Sequence, residues 1–277
     1  MTAMLLVRRL LIDLEAPFAR HWCGGDAFRS AFFDALSMSF PLGEQFFIDS
    51  VRAGVEALPE AERERFSPQV QGFVGQEATH RRVHALFNSH LERQGYRNGW
   101  ERRIAARLPR LAGTDRRHAV AITAATEHFT AILAEHLLAH PQVLDGAEPR
   151  LRALWLWHAS EESEHRSVAF DLYRAMGGNE AWRRRWFRVV TMTFLYDALR
   201  QTASNLRRDG ELWRWRSWVS GARFLFGREG VVRCTFGPWR AYRRADFHPS
   251  QQDSSRAERW LAEHADAYRV VGERAQA

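Results

Sequence analysis

Two Glu-x-x-His pairs constrain the fold of this chain more than any other feature of its sequence. Glu77 and His80 form the first pair, and Glu162 and His165 form the second. Each pair lies within a helical pattern of apolar residues, and helical side chains three positions apart share one face. We therefore expect a carboxylate and an imidazole to converge at each pair. In a chain with 12 His, random placement gives roughly one such pair, so the surrounding sequence must decide their meaning.

The spacing of two further glutamates strengthens the interpretation of the two pairs as metal ligands. Glu44 precedes the first pair's glutamate by 33 residues, and Glu127 precedes that of the second by 35. Each half of the chain thus offers a lone Glu on one helix and a Glu-x-x-His on the next. This is the ligand set of ferritin-like bundles that bind two iron or manganese ions. The predicted ligands are Glu44, Glu77, His80, Glu127, Glu162 and His165.

The charge of this set also indicates a metal centre. Four buried carboxylates carry the four negative charges that two divalent cations neutralise, whereas without metal they would be costly to bury. In the bundle template, Glu44 and His80 bind one ion, and Glu127 and His165 bind the other. Glu77 and Glu162 would bridge the two ions. The alternative is that all six are exposed polar residues on amphipathic helices.

The apolar periodicity predicts an all-α protein, a ferritin-like antiparallel four-helix bundle with additional C-terminal helices. The bundle helices are expected over residues 26–58 (kinked or restarted at Pro41), 68–94, 114–140 and 149–176. Further helices are expected over 179–208, 212–226, 231–247 and 254–266. Residues 1–178 would form the bundle with an N-terminal lead-in. Residues 179–277 would form an aromatic and Arg-rich helical extension packed on it.

Several polar residues near the predicted ligands are candidates for a supporting role. His84 lies one turn beyond His80, and His158 lies one turn before Glu162. Both could support or join the ligands, because a metal-bound His usually donates its other N–H to a neighbour. The alternative for each is an ordinary packed histidine. Three acids are further candidates, with a solvated carboxylate as the alternative: Glu161, Glu164 and Asp171.

Composition narrows the class of protein. Two cysteines cannot form a disulfide framework, so we expect a reducing, cytoplasmic location. No stretch reaches the 18 apolar residues of a simple membrane-spanning helix, and the N-terminus shows no secretory signal. All 40 basic residues are Arg, and the formal net charge is +7. This charge is concentrated in the second half of the chain, which suggests an anionic partner.

The segment 182–244 combines Trp and Arg and has three interpretations. It could be a layer that packs on the bundle, with Arg stems covering aromatic rings. It could instead contact anionic lipid, as a peripheral membrane surface, or bind a lipid-like substrate. Nucleic acid is the third and least favoured partner, because no nucleic-acid-binding module is recognisable. The sequence leaves the choice between monomer and homodimer open.

Three segments resemble a bacterial family described as predicted metal-dependent hydrolases. They are Phe-Pro-Leu-Gly-Glu-Gln-Phe-Phe at 40–47, Gln-Glu-Ala-Thr-His at 76–80 and Trp-His-Ala-Ser-Glu-Glu-Ser-Glu-His at 157–165. The resemblance covers about residues 25–250 and includes Phe247-His248-Pro249 near its end. It implies a metal centre at the same six ligands and hydrolysis by a metal-activated water.

The residues themselves favour a different chemistry. Carboxylate-rich sites with one imidazole per metal suit iron, with manganese as the alternative, and suit reactions with O₂. Our favoured hypothesis from the sequence is therefore a di-iron oxidase or oxygenase that acts on a small or lipid-like substrate. A hydrolase is the alternative, and a non-enzymatic iron-binding or storage protein is the third hypothesis.

Overall fold

The computed structural model describes residues 5–272, and its helical content confirms the all-α prediction. The helices in chain order are α1 (Ala27–Glu56), α2 (Glu60–Arg93), α3 (Gly99–Arg107), α4 (Arg116–Ala139), α5 (Pro149–His165), α6 (Val168–Ala175), α7 (Glu180–Arg208), α8 (Trp215–Phe226), α9 (Val231–Ala241) and α10 (Ser255–Glu263). Two short strands, β1 (Arg8–Leu10) and β2 (Tyr268–Val270), flank them.

The body of the protein consists of α1, α2, α4 and α5, which enclose the centre where the predicted ligands lie. Helix α1 packs along α2 and also against α4, and α4 packs against α5 and α6. The later helices cover this body, since α7 and α9 pack on α4, and α8 packs on α1. The ferritin-like topology and the division into a bundle and an extension stay predictions. The ends of those two predicted units, 1–4 and 273–277, lie outside the described residues.

Side-chain caps explain where three of the helices begin. Asp26 accepts a hydrogen bond from the backbone N–H of Arg29 at the start of α1, where the helix over 26–58 was expected to begin. The side chain of Asn179 accepts a hydrogen bond from the backbone N–H of Trp182 at the start of α7. Helix α4 is capped by Asp115, one residue after the start of the helix expected over 114–140.

Proline does not divide α1, contrary to one of the two sequence expectations. Pro41 lies inside the continuous helix and lacks the N–H that would bond to the carbonyl of Ser37. The side-chain amide of Asn88 donates to that carbonyl instead, at 2.9 Å. A neighbouring helix therefore supplies the hydrogen bond that proline removes. Helix α2 likewise contains Pro68 and begins eight residues earlier than predicted.

Two other helix predictions were wrong in detail. The helix predicted over 149–176 is interrupted after His165, and α6 begins only at Val168. At this break the guanidinium of Arg166 donates to the backbone carbonyl of Pro249, 3.1 Å away, and to that of Gln252. The segment 99–113, which lies between two of the predicted helices, contains α3.

The two strands join the ends of the described chain. They pair antiparallel, with Arg8 opposite Val270 and Leu10 opposite Tyr268. No sequence signal predicts this pairing, because the strands are three residues long and 257 residues apart. The consequence for the site is that Arg8 lies over α5, beside the second Glu-x-x-His pair. Within residues 5–272, no helix has the length and apolar character needed to cross a membrane.

Candidate metal centre

The four helices of the body bring all six predicted ligands together. Helix α1 supplies Glu44, α4 supplies Glu127, and α2 and α5 each supply one Glu-x-x-His pair. Every one of the six is at least 96% buried. The ring centroids of His80 and His165 are 5.9 Å apart. The side chains therefore converge on one small volume inside the protein.

One end of this centre is formed around His165. Its Nε2 atom lies 3.1 Å from Glu77 Oε1, 3.4 Å from Glu127 Oε2 and 3.5 Å from Glu162 Oε1. Helices α2, α4 and α5 thus each direct a carboxylate at the same imidazole nitrogen. We call Glu77, Glu127 and His165 the closed end of the centre.

The other end contains an additional histidine. His158 Nε2 lies 2.9 Å from Glu162 Oε1 and 3.9 Å from Glu44 Oε1, and His80 Nδ1 lies 3.6 Å from Glu162 Oε1. The sequence placed His158 only among the supporting candidates, but its ring faces the same space as Glu44 and His80. We call Glu44, His80 and His158 the open end. Glu162 lies between the two ends.

Hydrogen bonds from outside fix the orientation of both predicted histidine ligands. His80 Nε2 lies 2.9 Å from Glu161 Oε2, and His165 Nδ1 lies 3.0 Å from Gln76 Oε1. Gln76 Oε1 and an ionised Glu161 are acceptors, so each ring in its neutral form carries its proton on the outer nitrogen and directs a lone pair inward. Glu161 is itself anchored by Arg8, whose guanidinium lies 3.2 Å away.

The remaining supporting candidates divide into near and distant residues. Glu164 accepts from Arg8 at 2.7 Å and from Gln76 at 2.7 Å, so it belongs to the layer around the centre. Asp171 is not brought to the centre, because it lies near the surface with its Oδ1 atom 2.7 Å from His248. Neither Arg8 nor Gln76 was proposed from the sequence. Only Gln76, adjacent to Glu77, offered a signal.

A chain of hydrogen bonds also determines which ring nitrogen of His158 carries the proton. The hydroxyl of Ser37 donates to Asn88 Oδ1, so it accepts from His84 Nδ1, which is 2.8 Å away. His84 Nε2 then accepts from His158 Nδ1 at 2.7 Å. The consequence is that His158 Nε2 holds a lone pair. It faces a carboxylate oxygen of Glu162 2.9 Å away, and two acceptors at this distance require a cation or a proton between them.

Burial strongly disfavours the charged carboxylates of the centre. It raises the pKa of Glu44, Glu77 and Glu127 above the usual range, and neighbouring carboxylates add to the effect. Glu162 is the exception, because His165 and His158 outweigh its burial and hold its pKa well below the usual value. The same carboxylates raise the pKa of His165 despite its burial. Without cations, the centre retains protons.

Unpaired polar atoms test whether these residues fit a metal. Seven carboxylate oxygens and two imidazole nitrogens of the six predicted ligands have no hydrogen-bond partner within residues 5–272. Their short mutual distances lack hydrogen-bond geometry. Buried polar atoms are rarely left unpaired in native proteins. The nine unpaired atoms here are carboxylate oxygens and imidazole nitrogens, which are the ligand atoms typical of iron, manganese or zinc sites. The residues therefore fit a pair of divalent cations.

A cavity of about 60 Å³ borders the open end. His158 and Glu162 form part of its wall, whereas Glu77 and His165 do not. The rest of the wall is almost entirely apolar and comes from α1, α4, α5 and the C-terminal helices. Among its lining residues are Phe32, Phe40, Leu133, Trp155, Phe194, Phe224 and Val231. An apolar compound in this cavity would lie beside the open end.

Comparison with known proteins gives one match. A family model described as "Predicted metal-dependent hydrolase" matches residues 6–253, which is most of the chain. No curated protein and no solved structure matches the chain.

Proposed function

Because this chain belongs to the family of predicted metal-dependent hydrolases, we propose that it is a dinuclear metal hydrolase acting on an apolar substrate. The observation that carries the proposal is the set of buried, unpaired donor atoms beside an apolar cavity. The family description favours hydrolysis over the oxidase chemistry that the ligand types suggested. It identifies neither the metal nor the substrate.

We assign the ligands from the distances within the centre. The open end, with Glu44, His80 and His158, would bind one ion, and the closed end, with Glu77, Glu127 and His165, would bind the other. Glu162 lies within 3.6 Å of a nitrogen at each end and would bridge them. This assignment adds His158 to the six ligands predicted from the sequence, and it moves Glu77 from a bridging position to one end.

The chemistry divides between the ions and the chain. When bound, two divalent cations would lower the pKa of a water molecule and polarise the bond to be cleaved. The chain would hold the ligands in place through Glu161, Gln76 and Arg8, and the apolar cavity would bind an acyl or alkyl group. The same cavity would exclude bulk water from the open end. The substrate class we propose is therefore an ester or amide with an apolar chain.

An anaerobic esterase assay tests this proposal. Chain purified with its metal should cleave chromogenic esters without O₂, and kcat/KM should rise with acyl length until the cavity is full. A chelator should abolish the activity, and readdition of metal should restore it. Metal-loaded protein that cleaves no ester or amide of any chain length would contradict the proposal.

The donor set keeps an O₂-dependent oxidase as a second candidate. Four carboxylates with few imidazoles form a hard ligand set that suits iron and reactions with O₂. Anaerobic iron-loaded protein should then develop optical bands on exposure to O₂ and consume it in the presence of an apolar substrate. Uptake of many irons per chain, without either activity, would instead support storage.

The surface of the C-terminal helices supports a lipid-like source for the substrate. Met192, Leu195, Tyr196 and Leu199 form an exposed stripe on α7, and Trp213 is 90% exposed before α8. The segment 182–244 has 15 Arg against four acidic residues. Exposed aromatic rings among cationic side chains suit an anionic membrane surface.

Liposome flotation tests this second part of the proposal. The chain should float with vesicles that contain anionic lipid and remain at the bottom with neutral vesicles. A Leu195→Gln/Leu199→Gln variant should float less. If the variant instead changes the oligomeric state and flotation does not occur, the stripe is a homodimer interface and the membrane proposal is wrong.

A further inference from the structure

A second cluster of metal-binding side chains lies outside the centre described above. His136 and His140 are one helical turn apart at the end of α4, and Cys234 faces them from α9. One ligand atom from each residue lies within 4.8 Å of the other two. His140 Nε2 and Cys234 Sγ are 3.9 Å apart. These separations match those between ligands that share one tetrahedral ion.

The state of His136 points to a ligand independently of this spacing. Its side chain is 94% buried, yet neither ring nitrogen has a hydrogen-bond partner among the residues that the structure describes. Burial lowers the pKa of His136 to about 4, so the ring is neutral at physiological pH and presents a free lone pair. An unpaired buried imidazole is unusual and needs an explanation.

The surroundings of His140 resemble those of a metal-bound histidine. Glu229, in the loop between α8 and α9, places Oε2 3.7 Å from His140 Nδ1, and Gln142 donates to the same carboxylate at 2.7 Å. Metal-bound histidines commonly have a carboxylate behind the second ring nitrogen. His140 and Cys234 are only partly buried, so an ion can enter from solvent.

We propose that His136, His140 and Cys234 form a second metal site, of the zinc class, that links α9 to α4. Two imidazoles and a thiolate are softer donors than the carboxylates of the main centre, and they select zinc over magnesium or calcium. The site borders the cavity of the main centre, because His136 and Val231 both line that cavity. Its ion would hold α9 in place over the cavity wall.

Cobalt absorption separates this site from the main centre. Co²⁺ bound to a thiolate gives an intense charge-transfer band, and the carboxylate-rich centre contains no cysteine. Apo protein titrated with Co²⁺ should develop this band with an amplitude that corresponds to one thiolate-bound ion per chain, whatever the main centre binds, and Zn²⁺ should remove it. Cys234→Ser should abolish the band. Cys23→Ser is the matched control and should retain it, because Cys23 is buried elsewhere and contacts the carbonyl of Val143.

A second variant keeps the proposal testable if Cys234→Ser misfolds. His140→Asn changes a partly exposed side chain, so the fold should survive, and zinc affinity should fall by more than the ~100-fold that loss of an outer partner causes. Zinc should also raise the Tm of wild-type protein more than that of Cys234→Ser. Absence of the band from wild type, its retention in Cys234→Ser, or unchanged zinc affinity in His140→Asn would overturn the proposal. None of these readouts depends on hydrolase activity.

Discussion

The two ends of the main centre differ in their ligands and in their surroundings. The closed end directs three carboxylates at one imidazole, His165, and is backed by the neutral amide of Gln76. The open end has two imidazoles and is backed by the carboxyl group of Glu161. Of these side chains, His158 of the open end and Glu162, which lies between the two ends, line the apolar cavity. In the proposed function the two ends would therefore be unequal metal positions, and the substrate would meet the open one.

The largest effect is expected where the two ends meet. Glu162→Gln keeps the shape of the side chain but removes the negative charge shared by both positions. We expect loss of most metal from both ends and a fall in activity on the order of 100-fold or more. Glu135→Gln, which changes a surface ion pair with Arg256, is the matched control. Metal content at the wild-type level in Glu162→Gln would show that this residue is no bridge.

The next variant separates the ends. His158→Asn removes an imidazole from the open end only, so metal analysis should find about one ion per chain instead of two. The ion that remains should be bound as tightly as in wild type, because the closed end is untouched. Retention of both ions with normal affinity would show that His158 is not a metal ligand. Each end would then have a single histidine ligand.

Filling the cavity should affect catalysis and leave the metal in place. Leu133→Trp places a larger side chain in the cavity wall, and we expect kcat/KM for long-chain esters to fall roughly 10-fold. Short-chain esters should be less affected, and metal content should not change. Leu86→Trp, at an exposed position on α2, is the control. An equal loss for all chain lengths would mean that the substrate approaches elsewhere.

A smaller effect is expected from the outer partner of the open end. Glu161→Gln keeps a hydrogen bond to His80 but removes the charge behind it, and burial already raises the pKa of Glu161 to about 8. Metal affinity should therefore fall about 10-fold, at the open end alone. Competition with a chromophoric chelator measures this change. Equal weakening of both ions would contradict the separate roles of the two ends.

The smallest effect concerns the pH dependence of stability. Burial raises the pKa of Glu44 and Glu127, so the metal-free folded chain binds more protons than the unfolded chain above the usual carboxyl range. The free energy of unfolding should then decrease as pH rises. The lowered pKa values of His80 and His84 have the opposite effect, but only below pH about 6.5.

Thermal melts between pH about 7 and about 9 therefore avoid the opposing effect of those two histidines, and the raised pKa of His165 changes stability there in the same direction as the carboxyls. Tm should fall with rising pH for chelated protein and stay level for metal-loaded protein, in which the ions hold the carboxylates ionised. A parallel fall in both samples would show that the metals do not contact these carboxylates.

The sequence predicted the parts of the site that depend on local spacing. The Glu-x-x-His pairs could be read from helical geometry, and their burial follows from the apolar faces that carry them. The position of His158 at the open end could not, because it depends on the contact of α5 with His84 of α2. Nor could the role of Arg8, which reaches Glu161 only because β1 pairs with β2 at the far end of the chain.

The fold shows the same division. The all-α class and most helix positions follow from periodicity and caps, but the sequence led us to expect a kink or a restart of the first helix at Pro41. Its effect is offset by Asn88, 47 residues away, and no local signal predicts such a donor. His136 and His140 did have a local signal, a His-x-x-x-His spacing on one helix face. This spacing indicates a metal site only because the fold brings Cys234 beside the two histidines.

Anomalous X-ray scattering from crystals of protein loaded with its native metal tests the central claim most directly. We expect two peaks inside the bundle, one bounded by Glu44, His80 and His158 and the other by Glu77, Glu127 and His165, with Glu162 contacting both. An intact fold with a single peak there, or with none, would contradict the dinuclear centre.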